Sequence, residues 1–206
     1  MRIIAGSKKG MNLFSPKGDT SRPITDRIKE SLFNVLFNYD LPVDKVVADV
    51  FSGVGSMGLE ALSRGAKSVT FVEKDPRIIA VLRQNIEKAG FREKSRIVKA
   101  NAFAVGASAA AGQFYDLVFV DPPYPLTQNV DLKSPLAGLL AVLEQQLSSD
   151  GLVMVRTDGR TELLERYGRF EVFDKRHWGT MIINLLRLKT DDKQTDSDKD
   201  NREIAK

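Results

Sequence analysis

The chain has 206 residues, 42% of them hydrophobic and 28% charged, with a formal net charge of +4. That size and balance are those of a soluble globular protein with one domain and a sizeable core. It has no cysteine, which excludes a disulfide framework and a thiolate metal site.

The first residues, Met1-Arg2-Ile3-Ile4-Ala5-Gly6, lack the apolar region of a signal peptide. No apolar run approaches the roughly 18 residues of a membrane span. The expectation is a cytoplasmic monomer with no membrane partner. Residues 1–21 mix Gly, Ser and Lys with Ile3, Ile4, Leu13 and Phe14, and are read as a basic arm, extended or folded into a short hairpin. Residues 1–29 hold seven Lys/Arg against two Asp. Such an excess suits a polyanionic partner, although a solvated surface has the same composition.

Thr25 stands as a helix N-cap, followed by Ile28, Leu32, Val35 and Leu36 at helical spacing. Pro42 marks a turn. Strands and helices then alternate: a strand from Lys45 to Val50, a helix from Gly55 to Arg64, a strand from Ser68 to Glu73. A helix from Pro76 to Ala89 and a strand from Ser95 to Ala100 follow. Ala102 to Gln113 reads as a weak helix or loop. Then come a strand from Asp116 to Val120, a helix from Ser134 to Ser148 and a strand from Leu152 to Arg156. A short helix from Thr161 to Tyr167 precedes two strands, Phe170 to Phe173 and Met181 to Leu188, close enough to pair antiparallel. The sole histidine, His177, has no Cys or His partner, so no metal site is expected.

This alternation implies an α/β fold: one Rossmann-like, mostly parallel sheet with helices on both faces. The division is an arm at 1–21, the main domain at 22–189 and a polar tail at 190–206. The tail has too few apolar residues to order itself.

Gly53-Val54-Gly55-Ser56-Met57-Gly58 matches G-x-G-x-x-G between a strand and a helix, and Glu73 follows at the end of the next strand. By the motif alone this is a dinucleotide site with Glu73 on a ribose. Asp49, just before the loop, would repel a pyrophosphate, and no Arg or Lys lies between Val46 and Arg64. A nucleoside carrying a cationic amino-acid tail, such as S-adenosylmethionine, suits the same loop better.

Asp121-Pro122-Pro123-Tyr124 follows the apolar run Leu117 to Val120, at the carboxyl end of a strand, where ligands of open α/β sheets bind. Two prolines stiffen the corner and leave carbonyl oxygens bare. Asp121 and the Pro122 carbonyl can accept the hydrogens of a flat –NH2 group, with Tyr124 stacked on its face.

Asp49 to Gly55, Val72-Glu73-Lys74-Asp75 and the Asp121–Tyr124 corner together resemble a class I S-adenosylmethionine-dependent methyltransferase acting on an exocyclic amine. Arg2-Ile3-Ile4-Ala5-Gly6, Ser15-Pro16-Lys17-Gly18 and the stretch from Arg22 to Asn34 are similar to the bacterial small-subunit ribosomal RNA guanine-N2 methyltransferase family. The resemblance covers about residues 1 to 188. It implies a seven-stranded sheet and S-adenosylmethionine held by Asp49, Phe51, Ser52, Gly53, Gly55 and Glu73. It places Asn101 and Ala102 at the adenine, where an acid is the family's expected residue. Catalysis falls to Asp121, Pro122, Pro123 and Tyr124. Lys8, Lys9, Arg22, Thr25, Asp26 and Arg27 face ribosomal RNA or an assembling small subunit. Ile24 stands where a polar residue is expected. A DNA adenine methyltransferase shares the amine chemistry, and an NAD-dependent oxidoreductase shares the glycine loop; both remain alternatives at this point.

Overall fold

The computed structural model describes residues 1–16 and 24–189, with the backbone alone at Tyr124. The apolar runs form five parallel strands: β1 (Val46–Val50), β2 (Ser68–Glu73), β3 (Ser95–Lys99), β4 (Tyr115–Val120) and β5 (Leu147–Asp158). Three antiparallel strands complete the sheet: β6 (Arg166–Tyr167), β7 (Phe170–Trp178) and β8 (Met181–Leu188). Their order is β3-β2-β1-β4-β5-β8-β7-β6. The chain leaves β1 toward one edge and returns at β4 to build the other. The crevice at the carboxyl ends of β1 and β4 is therefore the topological switch point, where open α/β sheets bind ligands.

Side chains alternate across each strand and divide the core in two. Val47, Leu117, Phe119 and Met154 face one cluster, with α1 (Asp26–Phe37), α2 (Ser56–Ser63) and α3 (Pro76–Ala89). Ala48, Val118, Val120 and Val155 face the other, with α4 (Ala102–Val105) and α5 (Pro135–Leu143). Burial on both faces explains the near-continuous apolar strands. No helix among the described residues is long and apolar enough to cross a membrane.

The expected helix starts hold. The Thr25 hydroxyl caps α1 by accepting from Ile28 N at 3.4 Å, and Asp75 caps α3 by accepting from Arg77 N at 2.8 Å. Several elements differ from expectation: β5 begins at Leu147 where Leu152 was expected, and β7 runs on to Trp178 where Phe173 was expected. The helix expected up to Ser148 ends at Leu143, because Gln146 is drawn into a clamp: its side chain accepts from Ala107 N at 2.8 Å and donates to Val105 O at 3.0 Å. The short helix expected from Thr161 to Tyr167 is irregular chain ending in β6. There the Thr157 hydroxyl donates to Thr161 O at 2.9 Å, and the Tyr167 hydroxyl donates to Val130 O at 2.6 Å. These side-chain bonds tie the segment to its surroundings in place of helical pairing. The two-residue β6 also makes the sheet eight-stranded, where seven strands were expected.

The described part of the arm, residues 1–16, is a hairpin joined to the domain by buried polar groups. Arg2 bridges Asn12, and Ile3 N donates to Met11 O at 2.9 Å. Glu60 of α2, fully buried, accepts from Ile4 N at 2.7 Å and Ala5 N at 3.0 Å. It also pairs with Arg64 at 2.8 Å and with the buried Lys29 of α1 at 3.3 Å. Gly6 sits at φ +79° with its α-carbon against α2; a Cβ there would lie 1.8 Å from Ser63 O, so only glycine fits. The expected tail at 190–206 lies outside the described residues.

Candidate active site

One cavity of about 690 Å³ opens at the switch point, within the size range of small-molecule sites. The glycine loop forms one wall, through Phe51, Ser52, Gly53 and Val54; the corner forms another, through Asp121, Pro122 and Pro123. Glu73, Asn101 and Ala102 also line it. Residues far apart in sequence thus meet because β1 and β4 are neighbours.

Glu73 is fixed as an acceptor. Its carboxylate takes Gly53 N at 3.1 Å, Lys74 N at 2.8 Å and Asp75 N at 3.0 Å. Asn101 caps α4, its Oδ1 accepting from Phe103 N at 3.2 Å, so the amide oxygen already has one partner. Ala102 opens that helix, where first-turn N–H groups lack intrahelical acceptors. Phe51, at φ +63°, turns its ring against Phe103 with centroids 5.1 Å apart.

Two expected cofactor residues lie under the loop and not on the cavity wall. Asp49 is buried, and its Oδ2 accepts from Gly58 N at 2.8 Å. It therefore holds the first turn of α2. Burial pushes its carboxyl well above the usual range, against the Gly58 hydrogen bond and with help from Asp121 and Glu73. Gly55, at φ +90°, faces the helices: a Cβ there would lie 2.6 Å from Leu82 Cδ1. The third glycine, Gly58, lets α2 pack on β2, since a Cβ would lie 2.4 Å from Phe71 Cε1.

Asp121 leaves β4 with its N–H directed to Val50 O at 3.4 Å and pairs with Arg156 of β5. Burial raises its carboxyl, opposed by the Arg156 charge and hydrogen bond. Pro122 is buried, and Tyr124 opens a 3-10 turn through Thr127. The Tyr124 ring and Arg22 lie outside what is described.

The remaining expected residues do not converge on the cavity. Thr25 caps α1, Asp26 in its first turn accepts from Arg2 Nε at 2.7 Å, and Arg27 is exposed. Lys8 lies near Phe91 and Gly90, with its N–H on Ser63 Oγ at 2.9 Å. That is the far end of α2, about 12 Å from its start at 1.5 Å per residue. Lys9 follows it.

Arg156, Phe103, Met1 and Ile24 line the cavity without having been assigned there. Arg156 lies within β5 and reaches the cavity through the pairing of β5 with β4. Ile24 is 7% exposed and belongs to the core, which explains an apolar residue at that position.

The cavity fits a cationic nucleoside. Ser52 Oγ is buried with no hydrogen-bond partner among the described residues, and buried hydroxyls normally have one. Asp49, Glu73 and Asp121 are acids in or beneath it, and a positive ligand would relieve their mutual repulsion. A pyrophosphate would increase it. Among the described residues no group of three or more His, Cys, Asp or Glu gathers in a way that would hold a metal.

A family model described as Conserved hypothetical protein 95 matches residues 1–187. The chain is 32% identical over 190 residues to YlbH of Bacillus subtilis, described as a candidate rRNA methyltransferase, covering 91% of this chain and 98% of YlbH. It is 40% identical over 126 residues to the ribosomal RNA small subunit methyltransferase D of Escherichia coli, 60% of each chain. Among solved structures, yhhF of Escherichia coli, described as a candidate methyltransferase, superimposes with a TM-score of 0.76 at 31% identity. That alignment covers 92% of this chain and 98% of yhhF.

Proposed function

The chain belongs to the Conserved hypothetical protein 95 family, and we propose that it methylates the exocyclic N2 amine of a guanine in small-subunit ribosomal RNA. It is a methyltransferase, and S-adenosylmethionine is its cofactor. One observation supports the reading above others: Asp121, Pro122 and Pro123 of the corner share one cavity with the glycine loop at the switch point.

When bound, S-adenosylmethionine supplies a methyl whose bond to sulfur breaks, its electron pair passing to sulfur, as the acceptor nitrogen forms the new carbon–nitrogen bond. Phe51, Ser52, Gly53, Glu73, Asn101 and Ala102 hold it, while Asp49 sets the loop from beneath. A guanine N2 lone pair is delocalised into the ring and is a poor nucleophile. Asp121 and the Pro122 carbonyl accept its hydrogens and favour a pyramidal nitrogen aimed at the methyl. Asp121 takes the departing amine proton after attack and passes it to solvent. Much of the acceleration comes from holding the reactants about 3–3.5 Å apart. A paired guanine cannot present N2 in this way, so the base enters unpaired or flipped. Tyr124 stacks on it, and the arm with Arg22 and Arg27 holds RNA phosphates.

Asp121→Ala tests the assignment. Turnover should fall at least tenfold while S-adenosylhomocysteine affinity stays within about threefold, because Asp121 orients the acceptor and not the donor. Turnover at the wild-type rate would remove the corner from the reaction.

A further inference from the structure

Parallel register sets Arg156 beside Asp121. Val120 of β4 pairs with Val155 of β5, so the next residue of each strand stands level with the other. Adjacent strands lie about 4.8 Å apart, which is the reach of a guanidinium–carboxylate contact. The contact forms between Arg156 Nε and Asp121 Oδ1. Both side chains border the cavity, and they are only 10% and 18% exposed. Solvent therefore screens the pair weakly.

We propose that Arg156 is a positioning residue for methyl transfer: paired with Asp121, it keeps that carboxylate ionised and aimed at the acceptor amine. The inference rests on the reading that Asp121 receives the amine. A protonated Asp121 would offer one acceptor oxygen and one hydroxyl. It could not take the proton that the amine nitrogen loses once its bond to the methyl carbon has formed. Burial drives Asp121 toward that protonated form, and Arg156 is the opposing influence. The other charges around the corner do not replace it. Asp49 of β1 and Glu73 of β2 are acids. Lys74 follows β2, which β1 separates from β4, and Lys29 of α1 is held by Glu60 at 3.3 Å. A planar guanidinium also fixes direction, which a lysine ammonium does less well.

The full-length protein carrying Arg156→Leu or Arg156→Lys tests this. Single-turnover methyl transfer is followed against pH, S-adenosylhomocysteine affinity by calorimetry, and the Asp121 carboxyl by ¹³C NMR without RNA. For Arg156→Leu, transfer near pH 7 should fall about 10- to 100-fold with cofactor affinity within threefold. The acidic limb of its pH profile should move up by about one pH unit or more, and the Asp121 carboxyl titration with it. Arg156→Lys should keep the limb near wild type at an intermediate rate, and it serves alone if the leucine variant does not fold: a lysine limb displaced as far as loss of charge demands would overturn the proposal. An Asp121 titration unchanged in Arg156→Leu would also overturn it, whatever the activity. If the titration moves but the wild-type protein methylates no RNA, the pairing stands and the assigned reaction fails.

Discussion

Asn85 joins the arm to the cofactor loop, and its removal should loosen both. It is fully buried on α3. Its Oδ1 accepts from Phe14 N at 2.7 Å, and its Nδ2 donates to Phe14 O at 3.1 Å and to Val54 O at 3.0 Å. Val54 lines the cavity. In Asn85→Ala, water can replace part of the two bonds to Phe14, which is 48% exposed, at about 0.5–1 kcal/mol each. The Val54 carbonyl is left in a buried site, at about 1–3 kcal/mol. The expected total is about 3 kcal/mol. At about 2–4 °C per kcal/mol for a chain of this size, the melting temperature should drop by about 6–12 °C. Urea unfolding gives the free energy, and hydrogen exchange should show residues 1–16 losing protection before the sheet. S-adenosylhomocysteine affinity should weaken along with it. A loss below about 0.5 kcal/mol with arm protection unchanged would refute the idea that Asn85 couples the two.

Gly53 and Gly55 should behave differently. Gly53 has φ +53° and open space where a methyl would stand, whereas a methyl on Gly55 would meet Leu82. Gly53→Ala should cost about 1 kcal/mol of backbone strain and weaken S-adenosylhomocysteine binding, while Gly55→Asp should lower the melting temperature sharply, both read by calorimetry. The raised carboxyls of Asp49 and Asp121 give the apoprotein stability that is full below the ordinary Asp value and lost as pH rises through their folded values. A cationic cofactor prefers them ionised, so S-adenosylmethionine binding within that window should release protons, seen as a dependence of the apparent binding enthalpy on buffer ionisation enthalpy; proton uptake would contradict this. Arg27 is exposed at the start of α1, where the helix dipole also favours anions; Arg27→Ala should lower the salt slope of RNA binding by about one and leave cofactor affinity unchanged.

The sheet and the glycine loop were legible because periodicity, caps and turn residues agree along residues 25–120. Legibility failed where tertiary contacts override local pattern. Gln146 sits in a helical pattern, yet its side chain clamps Ala107 and Val105. Tyr167 ends a helix-like segment, yet its hydroxyl reaches Val130 O. At the site, the glycine-loop spacing and the family resemblance together indicated which residues cluster but not which way they point. Asp49 and Gly55 precede or belong to the loop but face α2 and α3, because strand alternation and a left-handed turn direct them inward. Arg156 was missed because its partner Asp121 lies on another strand, and only the β4–β5 register reveals the pair. The arm's basic charge was visible; Glu60, Lys29 and Asn85, which hold it, looked like ordinary polar residues of helices.

Transfer of a methyl to guanine N2 in small-subunit ribosomal RNA is read directly from the labelled nucleoside. The protein should be incubated with methyl-labelled S-adenosylmethionine and unmodified small-subunit RNA, free and in assembled particles, with duplex DNA in parallel and Asp121→Ala as the control. Digestion to nucleosides and mass spectrometry then identify the labelled product. Labelled N2-methylguanosine from the RNA, lost in the Asp121→Ala sample, is the predicted result. Labelled N6-methyladenine in the DNA with no label in RNA would contradict it.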